Sequence, residues 1–307
     1  MENRDLVIVG AGPAGLTAGM YASRARLDAV LLERMSPGGQ VLMTHWVENW
    51  PGDAGGVSGF DLVERMREHA VKFGLEIRTA EVTGLSLKGE DKVLVTPDGE
   101  IRARAVILAL GASPGKLGIP GESELVGRGV SYCGTCDGPF FRDQVVVAFG
   151  GGNTAAEEAL FLTRFAEKVY LVHRRDELRA TGILAERVKE NPKIEVLWSH
   201  VPLAVEGQDG VKAVRLKNLK TDQEYSLAVD GAFVFVGVKP NTDFLQGLVD
   251  LDSHGFIVTD QRQATNLPGV FTAGDCRQSP LRQIVVAAGE GAVASHVAQQ
   301  YLEGHQP

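Results

Sequence analysis

The chain has 307 residues, 44% of them hydrophobic and 23% charged, which is enough for two domains with separate cores. A net charge of −8 argues against nucleic acid and anionic membrane as partners, since both are held through a basic surface. No apolar run approaches the roughly 20 residues of a membrane span, the first apolar run already begins at Leu6, and three cysteines are too few for a secreted disulfide framework. A soluble, cytoplasmic protein is the expectation.

In chain order, Leu6 to Val9 reads as a strand that runs into Gly10, Gly12 and Gly15. A helical pattern follows to Ala25, and then a second strand, AVLLE, which ends on Glu33. RAVILALGASP is a further strand closing near Gly111, and GIPGESELVGRG is a turn-rich crossing. SYCGTCDGPFF (131–141) then places two of the three cysteines, Cys133 and Cys136, two small residues apart. The strand Val145 to Phe149 leads into Gly150, Gly152 and Ala155, a helix, and the strand KVYLVH ending at His173. FVFVGVKPNTDF is a strand entering a loop, GVFTAGDC sets Asp275 just after a strand, and a long final helix is expected from about Arg282.

The strand–glycine–helix–strand device therefore occurs twice. The first glycine allows the tight turn, the second lets the backbone approach a pyrophosphate, and the third small residue lets helix pack on strand. The helix N-terminus supplies free N–H groups and the positive end of a dipole to the anion. The copies differ at the end of the second strand. Glu33 offers a carboxylate to an adenosine ribose, which suits FAD or NAD. His173 is followed by Arg174, Arg175 and, one helical turn on, Arg179, whose guanidinium groups suit the 2′-phosphate of NADPH. The plainer alternative for HRRDELR is a solvated basic helix start.

A C-x-x-C spacing lets two sulfurs close a disulfide and reopen to a dithiol without dragging the backbone. Metal is the rival use, but a structural zinc normally takes four ligands. There is no second cysteine pair, Cys276 lies far along the chain, and no histidine stands at ligand spacing, so no metal is expected. A purely structural disulfide is disfavoured in a reducing compartment.

An ordered set of motifs spans almost the whole chain: GAGPAG, GGQ, ENWPG, CGTCDG, GGGNTAAEEA, HRRDELRA, GVKPNT, TAGD and RQIVVAAGEG. In this the chain resembles the low-molecular-weight thioredoxin reductases. The resemblance implies an α/β protein with two Rossmann-like dinucleotide-binding domains, the NADPH domain inserted into the FAD domain. The implied boundaries are 1–115 and 245–307 for FAD and 116–244 for NADPH.

For FAD, the implied residues are Gly12, Pro13, Ala14 and Glu33 at the pyrophosphate and ribose and Gln40 and Asn49 on the flavin side, together with Gly10, Gly15, Gly39, Val82 and Gly111. Gly274 and Asp275 would approach the ribityl chain or pyrophosphate, and Arg282 and Gln283 the isoalloxazine. For NADPH they are Gly150, Gly152, Asn153, Thr154, His173, Arg174, Arg175 and Arg179. Taken singly, the glycines and asparagines are equally turn residues, Asp275 a cap and Arg282 a surface charge.

By the same resemblance, Cys136 faces the flavin and forms a charge-transfer thiolate. Cys133 is the interchange thiol that attacks a protein disulfide, and Asp137 is the acid–base group. Asp137 reads otherwise as a turn residue before Gly138. CGTC stands for the commoner CATC, a small-for-small change expected to preserve the chemistry. Leu110 replaces a threonine near the expected flavin, and Pro139 replaces an aromatic after CDG.

Nicotinamide, disulfide and an outside partner must each be served in turn, so the inserted domain is expected to rotate about connections near Gly115–Gly118 and Lys239–Asp243. Phe140, Phe141 and Arg128 are candidates for docking thioredoxin or a thioredoxin-like protein, the phenylalanines alternatively for the core. A homodimer is implied by the family. Other uses of the scaffold differ in their residues. Ferredoxin or flavodoxin reductases lack the cysteine pair, small-molecule oxidases often lack the arginines, and a flavin redox sensor needs neither. A reductase or thiol oxidase serving another disulfide protein, a peroxide system or oxygen is the alternative. Cys276 reads as a small core residue.

Overall fold

Near-continuous apolar strands such as LVIV and AVLL are what a parallel sheet covered on both faces requires. The computed structural model describes residues 2–44 and 46–304. The chain begins with β1 (Glu2–Val9), α1 (Pro13–Arg24), β2 (Ala29–Glu33), a 3₁₀ turn (Gly39–Met43) and α2 (Gly59–Lys72). Five strands follow: β3 (Glu76–Thr79), β4 (Gly84–Lys88), β5 (Asp91–Thr96), β6 (Gly99–Leu108) and β7 (Ala112–Pro114). The middle of the chain forms β8 (Val130–Ser131), α3 (Gly134–Asp137), a 3₁₀ turn (Gly138–Phe141), β9 (Val145–Phe149), α4 (Asn153–Leu162), β10 (Lys168–His173) and α5 (Gly182–Glu190). Next come β11 (Ile194–Trp198), β12 (His200–Glu206), β13 (Ala213–Asn218), β14 (Glu224–Ala228) and β15 (Gly231–Val234). β16 (Val238–Pro240), β17 (Val270–Thr272) and α6 (Ile284–Leu302) complete the order.

The chain divides into two compact units, Met1–Ser113 with Lys239–Pro307, and Pro114–Val238. The second is thus inserted in the sequence of the first. In the first unit the sheet order is β3-β2-β1-β6-β5-β4, and β17 pairs in parallel with the far half of β6, Val270 opposite Val106. Side chains alternate across this sheet. Leu6, Ile8, Leu31 and Ile107 pack with residues of α1 and α6, while Val7, Val9, Leu32 and Leu108 pack on the other side with Leu85, Leu94 and Ile257.

In the second unit β11-β10-β9-β15-β8 form a parallel sheet. Val146, Ala148, Leu171 and Phe233 pack against Ala155, Ala159 and Leu162 of α4 and Val188 of α5. Val147, Phe149, Val172 and Val234 pack against Val205, Val214 and Leu216 of the antiparallel β12-β13-β14 sheet. The two passages between units, β7 and β16, pair with each other, and Gly115 N–H donates to Gly237 O at 2.7 Å. The fold class is the α/β arrangement expected above, with the parallel strands of the first unit's sheet extended by antiparallel β5 and β4. Among the described residues no helix is long and apolar enough to cross a membrane.

Two local expectations differ. Residues 174–179 bend rather than continue as a helix, and α5 starts only at Gly182, because the chain is pulled back to the second glycine turn by Arg179 and Ala180 N–H groups donating to Gly151 O. FVFVGVKP is two strands rather than one, with Gly237 between them at φ +124°, a conformation that ends the ladder.

Helices α1 and α6 approach through small residues. A Cβ on Gly291 would lie 2.1 Å from Ala14 O, backbone that cannot step aside. Gly291→Ala should therefore destabilise by about 1–3 kcal/mol through overpacking. Gly289→Ala, on the same helix with no atom within 4 Å of its Cβ, should gain about 0.5–1 kcal/mol. Urea denaturation of the two variants beside the parent checks the pair, and equal midpoints would refute the close-approach account.

Candidate functional site

At the first glycine turn the local geometry follows from what is missing at Cβ. Gly10 has φ +101°, and a Cβ there would strike Ala109 O at 2.3 Å. A Cβ on Gly15 would lie 1.8 Å from Gly10 O, so only glycine lets α1 settle on the turn. Gly12 is the N-cap of α1. No side chain caps it, Pro13 follows at the first helical positions, and a Cβ on Gly12 would meet nothing within 4 Å. Open space therefore stands over an uncapped N-terminus.

Other expected residues converge on that turn. Glu33, at the end of β2, accepts the Ala11 N–H at 2.8 Å through Oε2 and the Met35 N–H at 3.0 Å through Oε1, which fixes its carboxylate and leaves lone pairs over. Gly38 N–H donates to Ala11 O at 2.7 Å, and at Gly39 (φ +60°) a Cβ would sit 3.2 Å from Gly12 Cα; exposed Gln40 follows. At Gly274 (φ +81°) a Cβ would lie 3.0 Å from that of Ala14, which brings the TAGD segment to the start of α1. Asn49 Nδ2 donates to Gln283 Oε1 at 2.9 Å, joining residues far apart in sequence.

Asp275 is held above the usual carboxylate range by burial, against the pull of Arg282 and with some help from Glu290. The Arg282 guanidinium lies over the Phe256 ring at 4.2 Å, and its Nε is buried with no hydrogen-bond partner. A buried donor without a partner is costly unless a ligand meets it. This fits a polar ring system lying along Arg282, and the open uncapped turn fits a pyrophosphate.

Val82 and Gly111 have partners of their own. The Val82 side chain is committed to the core. Gly111 (φ +63°) accepts the Asn241 N–H at 3.2 Å, while Asn241 Nδ2 donates to Leu110 O at 2.9 Å, so the asparagine of GVKPNT clamps this loop. Sequence reasoning missed Asn241 as well as Glu290, which accepts Gly274 N–H at 2.7 Å and Arg277 Nη1 at 2.5 Å. Both lie inside quoted motifs, which was the available signal.

The second glycine turn repeats the construction. Gly150 has φ +152°, and a Cβ there would meet the Ala155 Cβ and Phe235 O, both at 2.6 Å. Gly152 caps α4 with nothing within 4 Å of its Cβ and no capping side chain. Asn153 Oδ1 accepts Thr181 N–H at 2.9 Å, drawing the 179–181 segment to the turn; Thr154 is exposed beside it.

His173 is buried with its ring against Gly151, where a Cβ would lie 2.2 Å away, and its Nε2 has no hydrogen-bond partner. Burial, then Arg179, Arg175 and Arg174, hold its pKa below the ordinary histidine value. Those three arginines are exposed, and none takes part in a salt bridge among the described residues. The neighbouring acid, Asp176, bonds to Ser199 Oγ and pairs with Lys220 Nζ at 2.8 Å instead.

Cys133 and Cys136 are joined by a disulfide with Cα atoms 5.3 Å apart. Cys133 is the N-cap of α3, and its Sγ accepts the Cys136 N–H at 3.2 Å and lies 3.3 Å from Thr135 Oγ1. Ser131 Oγ accepts the Cys133 N–H at 3.1 Å and donates to Cys133 O at 3.2 Å, which fixes the entry to the turn. Asp137 closes α3, half-buried, with its N–H on Cys133 O at 3.1 Å. Phe141 is a core residue, its ring edge-on to Phe233 with centroids 5.1 Å apart, whereas Phe140 is exposed. Arg128 donates to the carbonyls of Glu124 and Gln208. Cys276 is fully buried among core residues, and burial raises its pKa.

Residues 4–291 match the model of the pyridine nucleotide-disulphide oxidoreductases. The chain belongs to that family. It is 44% identical to a thioredoxin reductase of Peptoclostridium acidaminophilum, covering 99% of each chain. It is 46% identical to a bifunctional thioredoxin reductase/thioredoxin of Mycobacterium leprae, covering 98% of this chain but 66% of that longer protein. The crystal structure of a thioredoxin reductase from Streptococcus pyogenes, 43% identical, superposes with a TM-score of 0.94 over 98% of this chain and 99% of that one.

Proposed function

We propose that the chain is an NADPH-dependent, FAD-containing disulfide reductase that reduces thioredoxin or a thioredoxin-like protein. The observation that carries this reading is the Cys133–Cys136 disulfide on a short helical turn, in the same unit as a glycine turn flanked by unpaired arginines. The relatives named thioredoxin reductase support it along the whole chain. Oxidases and reductases serving other acceptors are not favoured.

FAD belongs to the first unit, on Gly10, Gly12, Pro13, Ala14, Gly15 and Glu33, with Asp275, Arg282 and Gln283 at its far end. NADPH belongs to the second, on Gly150, Gly152, Asn153 and Thr154, with Arg174, Arg175 and Arg179 at the 2′-phosphate. When bound, FAD supplies the two-electron relay between a hydride donor and a disulfide. The chain's own contribution begins at the sulfurs. Opened to a dithiol, Cys133 keeps the Cys136 N–H and the start of α3 as stabilisers of its thiolate. That thiolate attacks one sulfur of the partner disulfide and forms a mixed disulfide, and the other partner sulfur leaves as a thiolate. Cys136 then attacks Cys133, re-forms the internal disulfide and releases the second partner sulfur. Asp137, one residue from Cys136, passes protons to and from these sulfurs. Phe140 offers an apolar contact to the partner. The protein acts in the cytoplasm as a homodimer.

Three tests follow from this reading. Anaerobic NADPH should bleach the yellow holoprotein, and oxidised thioredoxin should restore the colour; Cys133→Ser should lose that restoration by 100-fold or more. Recolouring of Cys133→Ser at the parent rate would remove the relay. Replacing Arg174 and Arg175 together by alanine should raise KM for NADPH by about 30- to 1000-fold, at about 1–2 kcal/mol for each charge-assisted contact, with little change for NADH. Equal losses with both donors would dismiss the 2′-phosphate role. Because β7 and β16 are the only chain passages between the units, rotation about them is proposed to alternate the ligands served. A cross-link bridging the units should permit at most one reductive half-turnover, and sustained turnover would end that idea.

A further inference from the structure

Beneath the redox turn lies a carboxyl that the scheme above does not use. Glu158, on α4, points its Oε2 at Gly134: a Cβ on that glycine would lie 2.2 Å away. The oxygen is buried and has no hydrogen-bond partner. The carboxyl faces the backbone N–H groups of Gly134 and Thr135, two of the donors that open α3, while the third, of Cys136, serves Cys133 Sγ. The first turn of α3 thus gives one donor to a sulfur and turns two toward a carboxylate. Glycine at 134 is what leaves room for this, since any β-carbon there would push the carboxyl aside.

We propose that Glu158 is a proton-accepting positioning residue of the redox turn, protonated as the Cys133–Cys136 bond is reduced. The inference rests on the disulfide being the working redox centre. Two electrons and two protons enter; the S–S bond breaks. One proton closes a thiol, the other settles on the Glu158 carboxylate, and one sulfur remains a thiolate. The electrons come from NADPH in turnover, or from any dithiol in solution. A new anion on the turn competes for the same N–H donors and repels the carboxylate, which lowers the cost of protonating it.

The surroundings favour this direction. Burial already holds Glu158 above the usual carboxylate range; the Gly134 and Thr135 amides oppose that shift, and Glu157 adds to it. The elements packed on α4 bring it no counter-ion. α3 carries Cys136 and Asp137 with Cys133 as its N-cap, and β9 only apolar side chains. β10 carries Lys168, Tyr170 and His173, and α5 carries Glu186, Arg187, Lys189 and Glu190. No salt bridge to Glu158 exists among the described residues.

The test measures the disulfide–dithiol equilibrium of the FAD-loaded protein in dithiothreitol redox buffers from acid to neutral pH, read by thiol alkylation and mass. Each extra proton taken up steepens the fall of the reduction constant with pH by up to tenfold per pH unit. The parent should show that extra slope in a window above the ordinary carboxylate range. E158Q should lack it, and G134A, with the carboxyl displaced, should shift or shrink it. Coincident pH slopes for parent and E158Q would overturn the proposal. Should E158Q not fold, the infrared difference between reduced and oxidised parent decides: a protonated-carboxyl band must appear on reduction, persist in D137N and weaken or shift in G134A. Its absence overturns the proposal. A disulfide that does not cycle at all would instead sink the reductase reading itself.

Discussion

Four helices of this chain start without a capping side-chain bond, and two of them, α1 and α4, do so at a glycine directly after a buried parallel strand. A serine, threonine, aspartate or asparagine at such a position commonly contributes about 1 kcal/mol, so an open N-terminus is a standing cost that an incoming anion can offset. The rest of each site serves to keep that end open and reachable. Gly10 and Gly150 turn the backbone sharply, Gly15 and Ala155 let the helix lie close, and Gly12 and Gly152 leave the approach clear. In the first unit the approach is completed from the far end of the chain. Small residues on α6 allow it to sit against α1, and Glu290 on that helix holds the Gly274 amide beside Ala14. A site built this way cannot form until the two ends of the sequence have met.

The two sites share this geometry and diverge in charge. At the first, Glu33 is tied by the Ala11 and Met35 amides, so a carboxylate stands at the end of β2 as a fixed acceptor. At the second, a buried histidine fills that place and cannot act as an anion. Its ring presses on Gly151, and burial together with three nearby arginines disfavours its protonation. Of the two acids inside the basic run, Asp176 is engaged by Lys220 and Ser199, and Glu177 is in no salt bridge among the described residues. None of the three arginines is in a salt bridge among the described residues, so the preference proposed for a dianionic 2′-phosphate rests on charge rather than on shape.

Much of this was legible in the sequence because the device is local. Strand, glycine turn, helix and following strand occupy one continuous stretch, and their periodicities announce them at 6–33 and 145–173. What was not legible depends on contacts across long separations. The return of 179–181 to Gly151 replaces the helix that the HRRDELR pattern suggests, because the amides of Arg179 and Ala180 find an acceptor in the glycine turn. Asn241 clamping Leu110 and Gly111, and Glu290 holding Gly274 and Arg277, likewise pair residues whose proximity no spacing encodes. The adjacent phenylalanines after CDGP separate for the same reason. Phe141 has Gly231 and Phe233 to pack on, and Phe140 does not.

The exchange of alanine for glycine between the cysteines reads in sequence as neutral, and the structure gives it consequences. With only three residues between Cys133 and Asp137, the turn has few N–H groups to distribute, and whatever approaches them sets how easily charge rests on sulfur. A β-carbon at 134 would reserve the amides for the sulfurs; its absence admits a second claimant from α4. The helix whose N-terminus is proposed for a nucleotide thus carries, one and a half turns on, the group that faces the redox turn. The glycine turn at Gly150–Gly152 and the disulfide therefore lie in one compact unit, tied through α4, so the proposed rotation would carry both together.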